Sequence, residues 1–471
     1  MYRDSRQIAG GRAINYNSNF VLLICGRFVS ELGSSVFGFA LSLYVLDFTN
    51  SAAAFSLVLS FSIIPNMFVN LIAGSFVDKH DKKKTIVATD ILSGIAVLTF
   101  MFMFHLSPQS ILLLISYKII LAVTQSFFGL AISTSIPNIV GEKNTARANS
   151  IFTTAGSLIN ILGPVVGAVA YKTMGLQYIF LIDGISFILS GIAEMFIIFE
   201  RRNSDRKDSE QVRSEKIDLL KTVNDKTGKD DVDINHKNTF DKAVENKDIT
   251  KKEGYLNGVK LGFQYIAKDR TTSFFIAITL LMNLVLSPLS ALVIPFINYN
   301  VLKVSEVQLS VIQGSWAAGA IVGGLFMSVR KDTFRLIKHV FLLIQGQALI
   351  MVMFCFPTLK VPIFESKWII TITFSLLLII LGILNVMQNV PLYTYFQIRV
   401  SENVRGRVFA VFNITIMLSS TIGLWLFGGI LEHVKWSNVL IASASVMFML
   451  CVLLSRYKHF RVFSSSVDST T

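Results

Sequence analysis

Charge is what this chain has least of: Asp, Glu, Lys and Arg supply 15% of its 471 residues, against about 25% in ordinary soluble domains. That scarcity excludes a chain kept in solution by a charged shell. Cysteine is almost missing too. The three cysteines, Cys25, Cys355 and Cys451, fall in separate apolar runs, so neither a disulfide framework nor a metal site is expected. No Gly-x-x-x-x-Gly-Lys-Ser/Thr occurs, which leaves no phosphate-cradling loop and no ATPase engine. No nucleophile–base pair stands out, so an enzyme is not expected and no cofactor is implied. Residues 1–19 are polar and the first apolar run is full length, which does not fit a cleaved signal peptide.

What fills the chain is apolar. Hydrophobic residues make up 52%, with 38 Phe, and the mean hydropathy is +0.59. Runs of about 20 apolar residues recur, the length at which a helix crosses hydrocarbon with every backbone amide satisfied internally. Spans are predicted at 20–46, 52–75, 85–105, 110–138, 150–170, 177–199, 273–297, 306–328, 336–356, 368–394, 408–430 and 436–455. The expected fold is an all-α membrane protein of twelve transmembrane helices in two six-helix bundles.

A formal net charge of +13 raises the question of nucleic acid, and its location answers it. With loops placed as above, only Lys172, Lys303, Lys360, Lys367 and Lys435 lie on the side opposite the N-terminus, and Arg27 and Lys118 lie inside spans. Lys and Arg accumulate in cytoplasmic loops, so both termini are expected in the cytoplasm and the protein in the plasma membrane. The charge suits an anionic bilayer surface, not nucleic acid.

Composition also divides the chain. Residues 200–253 carry acids and bases in equal number and few aromatics, so they cannot bury enough apolar surface to offset their ordering entropy. They are expected as a disordered linker. The expected parts are thus a tail at 1–19, a bundle at 20–199, the linker, an amphipathic surface helix at 254–271, a bundle at 272–455 and a tail at 456–471.

The loop after the second span reads Gly74-Ser75-Phe76-Val77-Asp78-Lys79-His80-Asp81-Lys82-Lys83-Lys84. With the two six-helix halves, it resembles the signature loop of the major facilitator superfamily at Gly74, Asp78, Lys79, Lys82, Lys83 and Lys84; Asp81 stands where the signature has a glycine. Gly163-Pro164-Val165-Val166-Gly167-Ala168 is similar to the superfamily's antiporter motif. Arg405-Gly406-Arg407-Val408-Phe409 and Ser135-Ile136-Pro137-Asn138-Ile139-Val140 look like its macrolide-efflux branch. The resemblance covers the chain outside the linker. It implies a drug:proton antiporter acting as a monomer, with an amphiphilic substrate, protons and the lipid bilayer as partners.

Embedded charges each need a reason, since one at mid-helix costs at least about 2.5–3.5 kcal/mol. Glu31 lies about eleven residues into the first span, roughly 16 Å deep. Lys118 lies in the fourth span, where the resemblance associates a basic residue with proton transfer. One reading makes Glu31 a proton carrier with Lys118 as its electrostatic partner. A second has Glu31, Arg27 and Lys118 only neutralise one another, Arg27 being four residues before Glu31 on one face, and a third has Glu31 bind a cationic substrate directly. Asp90 joins either the charge cluster of the signature loop or a proton path. Asp183 is expected to face a wet cavity or to be hydrogen-bonded, with proton coupling as the alternative, and Glu194 and Asp47 to be solvated helix ends.

The second half has no acid away from a helix end. Its polar groups include Asn385, Gln388 and Asn389, which with Tyr393 are expected to line a cavity for a large amphiphile or to bond between helices. Asp78 is expected to latch one conformation through Arg147, Arg405 and Arg407; Ser328 stands at the matching position of the second half, so the gate should be lopsided. Gly163, Pro164 and Gly167 suggest a bend or a close helix approach in the fifth span. The expected function is proton-coupled efflux of drug- or macrolide-like molecules with a resistance role. The alternatives are export of a siderophore or other endogenous metabolite, and a non-transporting sensor acting through the linker.

Overall fold

The computed structural model describes residues 6–9, 12–140, 145–197, 255–330, 334–359, 362–400 and 402–455; the side chains of 70–79 and of Arg147 are not among those described. The linker 200–253 and the tail 456–471 fall outside. Near the N-terminus Arg6–Ala9 pairs with Arg12–Asn15 as a short antiparallel hairpin, where sequence suggests only a polar tail. Everything else that is regular is helical.

The first half holds α1 (Tyr16–Thr49), α2 (Ala52–Lys79), α3 (Lys82–Leu106) and α4 (Ile111–Val140). A continuous stretch, Thr145–Met195, follows; Gly175 breaks it at φ 75°, ψ 170°. A side chain there would be strained, so the glycine turns the chain and separates α5 (145–174) from α6 (176–195). The break explains how eleven long apolar helices make twelve crossings. The surface helix α7 spans Tyr255–Lys268, and its Gly262 sits against the backbone of Arg407.

The second half begins with α8, Arg270–Pro288, which continues through two π turns, Leu289–Val293 and Ile297–Val301. Pro288 and Pro295 lack the N–H that a regular helix needs, and such widened turns mark functional segments. Then come α9 (Glu306–Val329), α10 (Val340–Met353), α11 (Lys367–Arg399), α12 (Glu402–His433) and α13 (Trp436–Ser455). Twelve crossings among the described residues return the chain to the face it started from, where Lys82, Lys83, Lys84, Arg405 and Arg407 lie; it is called the basic face below, and the opposite one the far face.

Local chemistry sets the helix starts. Asp81, which departs from the signature glycine, caps α3 by accepting from the backbone N–H of Lys83 (3.0 Å) and Lys84 (3.3 Å). Asp269 caps α8, and Ser305 with Gln308 forms a capping box on α9. Large side chains such as Phe102, Leu112, Phe326 and Leu342 stay exposed, as expected where the solvent is lipid.

The halves meet along two seams, α2 against α12 and α5 against α9. Within the first half α1 lies against α5 and α6, and the glycines of the antiporter-like motif permit the contact. A methyl on Gly167 would stand 2.7 Å from the Val36 carbonyl oxygen, so the backbones touch there. Gly167→Val therefore overpacks this seam by about 1–3 kcal/mol. A lowered Tm of the purified protein, with Val166→Ala as a neutral control, is the expected result.

Candidate functional site

Between the halves lies a cavity of about 810 Å³. Its walls come from α1, α2, α5, α8 and α9, among them Ser35, Phe39, Asn160, Ser290, Gln313 and Trp316. No ionisable side chain is among the described residues that line it. Pro164 and Pro295 both lie in the wall, so the two irregular stretches of backbone shape the cavity. A polar side pocket of about 210 Å³ shares Ser290 and Trp316 with it and is lined by Asn283, Asn385, Gln388 and Asn389.

The sequence leaves the α11 amides two readings, a binding surface or bonds between helices, and the structure holds part of each. Asn385, Gln388 and Asn389 line only the side pocket, and all three are engaged in hydrogen bonds. Gln347 Nε2 donates to Gln388 Oε1 at 2.8 Å, and Asn389 Nδ2 donates to Asn385 Oδ1 at 2.9 Å. Tyr393 lies elsewhere, its ring parallel to Phe409 and edge-on to Phe412. The wall residues of α1 and α9 were legible in another signal. Ser35, Gly38, Ser42 and Leu46 recur at helical spacing, as do Leu309, Gln313, Trp316, Ala320 and Gly324.

The embedded charges occupy the first half, behind this wall. Arg27 Nε donates to Glu31 Oε1 at 2.6 Å, and the guanidinium also stacks over Phe152 at 4.8 Å. Lys118 does not partner Glu31. Its ammonium interacts with Asp183 on α6 and stands 6.0 Å from the Phe37 ring centroid and 3.8 Å from where a Cβ on Gly38 would be. Gly38 is two turns, about 10 Å, beyond Glu31 along α1; that separation is why the pairing expected from sequence does not form. Asp183 is 1% exposed, so of the two environments expected for it the hydrogen-bonded one is found. Tyr117 Oη donates to its Oδ2 at 3.5 Å, and Oδ1 lies against α1 at Gly33. Asp90 and Glu194 are buried together nearer the basic face, so Glu194 is no solvated helix end.

The basic-face loop is described in part. Lys82 Nζ donates to the Thr134 carbonyl at 3.2 Å and Lys83 Nζ to the Met195 carbonyl at 2.7 Å, tying the start of α3 to α4 and α6. Arg405 Nε reaches the Val400 carbonyl at 3.4 Å. The latch expected of Gly74, Asp78, Lys79 and Arg147 falls on side chains outside the described set.

At the far face the halves are fastened by groups that sequence does not single out. Glu432 Oε1 on α12 accepts from Ser51 Oγ at 2.6 Å and from the Ala53 amide at 3.0 Å, so an acid of the second half caps the first turn of α2. Asn300 Nδ2 donates to Asn50 Oδ1 at 3.0 Å, and Trp425 Nε1 to Ser60 Oγ at 2.7 Å. Asp47 accepts from Tyr171 Oη at 2.6 Å, so it too is engaged. The described state is closed at the far face.

The Lys118–Asp183 contact generates a double-mutant test. Lys118→Met leaves Asp183 buried without its counter-charge and costs on the order of 3 kcal/mol, the lower end for breaking a buried pair because Lys118 keeps partial exposure. Lys118→Met/Asp183→Asn recovers most of that loss, as read from thermal unfolding of the four proteins.

Known proteins resemble this chain at three levels. A family model described as Major Facilitator Superfamily matches residues 23–424. The chain is 21% identical to Macrolide efflux protein A of Streptococcus pyogenes over 446 residues, covering 93% of this chain and 96% of that protein. It is 30% identical over 179 residues to the uncharacterized MFS-type transporter YkuC of Bacillus subtilis (strain 168); that match spans 37% of this chain and 41% of the relative's length. Among solved structures, a bacterial homologue of the iron transporter ferroportin in an inward-facing state aligns with a TM-score of 0.64 at 12% identity, covering 93% of this chain and 99% of that one. A D-xylose-proton symporter aligns with a TM-score of 0.60 at 13% identity, covering 92% and 98%. At these identities the structural likeness is one of fold.

Proposed function

The chain belongs to the Major Facilitator Superfamily, and from that premise we propose that it expels amphiphilic small molecules, macrolide- or drug-like, across the plasma membrane in exchange for protons. It is a multi-pass membrane transporter and not an enzyme. The observation that carries the substrate reading is the uncharged cavity between the halves. Its volume of about 810 Å³ sits within the range of roughly 300–1,000 Å³ typical of small-molecule sites. Phe39, Phe55 and Trp316 offer flat apolar surface, while Ser35, Asn160 and Gln313 offer neutral hydrogen bonds. Such a wall favours a large, weakly polar molecule over a sugar or a small ion. The full-length likeness to Macrolide efflux protein A supports the same class.

The two halves rock about the cavity, so that it opens to one face at a time. The chain works as a monomer with both termini in the cytoplasm, where the basic loops suit the anionic leaflet. Protons drive export through the charges of the first half. Glu31 is half-exposed beside Arg27; it takes up and releases a proton as that pairing and its access to water change. Lys118 and Asp183 move with α4 and α6 and respond to the same cycle. Asp78 belongs to a basic-face latch that holds one conformation while the far face is open.

Reconstituted vesicles with an imposed pH gradient test the reading. Macrolides and amphiphilic dyes are expected to accumulate against their own gradient, a protonophore to abolish the accumulation, and siderophores to be left behind. Glu31→Gln is expected to lose uphill transport down to the level of protein-free vesicles while keeping exchange of substrate at equal concentration. Accumulation by Glu31→Gln equal to the wild type removes Glu31 from the coupling path. Siderophores as the preferred substrate would overturn the substrate class.

A further inference from the structure

The efflux reading makes no use of Glu194, yet the structure hides that acid completely. Asp90 on α3 is 0% exposed and Glu194 on α6 is 1% exposed. The two interact electrostatically, and the Cβ of Asp90 lies 3.4 Å from where a Cβ on Gly191 would stand, one turn from Glu194. None of the four carboxylate oxygens makes a hydrogen bond among the described residues. One hydroxyl is buried there as well: Ser190, 3% exposed, faces Asp90 without an aligned bond. Four carboxylate oxygens are therefore buried without an aligned hydrogen bond, and the Ser190 hydroxyl is the donor that faces them.

Among the described side chains, no cation compensates the pair. From α1, the near charges are Glu31, itself an acid that interacts with Asp90, and Arg27, which is committed to Glu31 at 2.6 Å. From α3, Lys83 is committed to the Met195 carbonyl at 2.7 Å. On α4 the titratable groups Tyr117 and Lys118 are directed to Asp183. Arg147 on α5 and the acid and lysine at the end of α2 lie outside the described side chains. Among the described residues, no ammonium or guanidinium lies within bridging distance of Asp90 or Glu194, the recorded ion pair being Arg27–Glu31. Two ionised carboxylates facing each other in low dielectric are strongly repelled, and an uncompensated buried charge is costly in itself. Among the described residues, nothing supplies the positive charge that this pair calls for.

We propose that Asp90 and Glu194, with Ser190, form a site for one monovalent cation, either a proton shared between the carboxylates or a small alkali ion held by the oxygens. The site is separate from the central cavity and independent of which molecule the protein exports. Its occupant joins α3 to α6 next to α1, and its departure leaves two like charges that drive those helices apart. The second carboxylate is what distinguishes the arrangement from a single neutralised acid.

Difference infrared spectroscopy on the full-length protein in nanodiscs, in sodium-free choline buffer at neutral pH, tests the assignment. The wild type is expected to show a protonated carboxylic acid carbonyl band that Asp90→Asn/Glu194→Gln lacks. If sodium leaves the band unchanged, the occupant is a proton. If sodium removes the band and radioactive sodium binds in a ratio that the double variant does not reach, it is an alkali ion. The same band in both proteins, with equal sodium binding, overturns the proposal. A second readout guards against a variant that does not fold. The Tm of the wild type in choline buffer should fall as pH rises and the cation leaves, whereas Glu194→Gln, with the like-charge repulsion gone, should give a flatter curve. Parallel curves overturn the proposal, and neither readout depends on transport.

Discussion

Hydrocarbon cannot solvate a charge, and the arrangement of this protein follows from that constraint. Among the charged groups inside the spans of its first half are two cations and four acids that lie away from the loops at either face: Arg27, Lys118, Glu31, Asp90, Asp183 and Glu194. Each must find its compensation within the protein. Arg27 and Glu31 satisfy each other within one helix. Lys118 and Asp183 meet across α4 and α6 with Tyr117 donating to the acid. Asp90 and Glu194 are left with the Ser190 hydroxyl and with each other.

Helix α1 keeps this charged interior apart from the cavity. Gly33 and Ser35 point about 200° apart around the helix axis at 100° per residue, and they meet different chemistry. Gly33 abuts Asp183, while Ser35 lines the cavity. Gly38 belongs to the wall and has the Lys118 ammonium just behind it. A small displacement of α1 would alter both the cavity and the environment of the charges, so one rigid element couples two regions that need not share a residue. The far face holds α1 and α2 against the second half through Asn50, Ser51 and Ser60, so their outer ends are fixed in the state described.

Much of the fold was legible because its cause is local. Twelve apolar runs of spanning length, the basic bias of one face and the polar break after the sixth run are linear features. The turn at Gly175 and the caps at Asp81 and Asp269 only sharpen their edges. Charge pairing was less legible, because it depends on which helices touch. Arg27 and Glu31 are four apart on one helix, so their bridge could be read. The assignment of Lys118 to Glu31 failed since depth along a span does not give the neighbour across it, and α6 brings Asp183 to that level instead. Glu194 looked like a helix end because it is near one in sequence, but packing by α3 buries it. Glu432 could not be anticipated, as its work is to cap a helix of the other half. The cavity lay on the faces of α1 and α9, where small and aromatic residues repeat, and not on the amide-rich face of α11.

The central claim is that an uncharged cavity between the halves, sealed at the far face, takes the transported molecule. The most direct measurement is thiol labelling of Gln313→Cys, with Cys25→Ser removing the exposed native cysteine, in vesicles of known orientation. A membrane-impermeant reagent should label position 313 from the face of the N-terminus and hardly at all from the far face, and a bound macrolide should slow that labelling. Labelling that is faster from the far face, or that a macrolide leaves unchanged, would contradict the account.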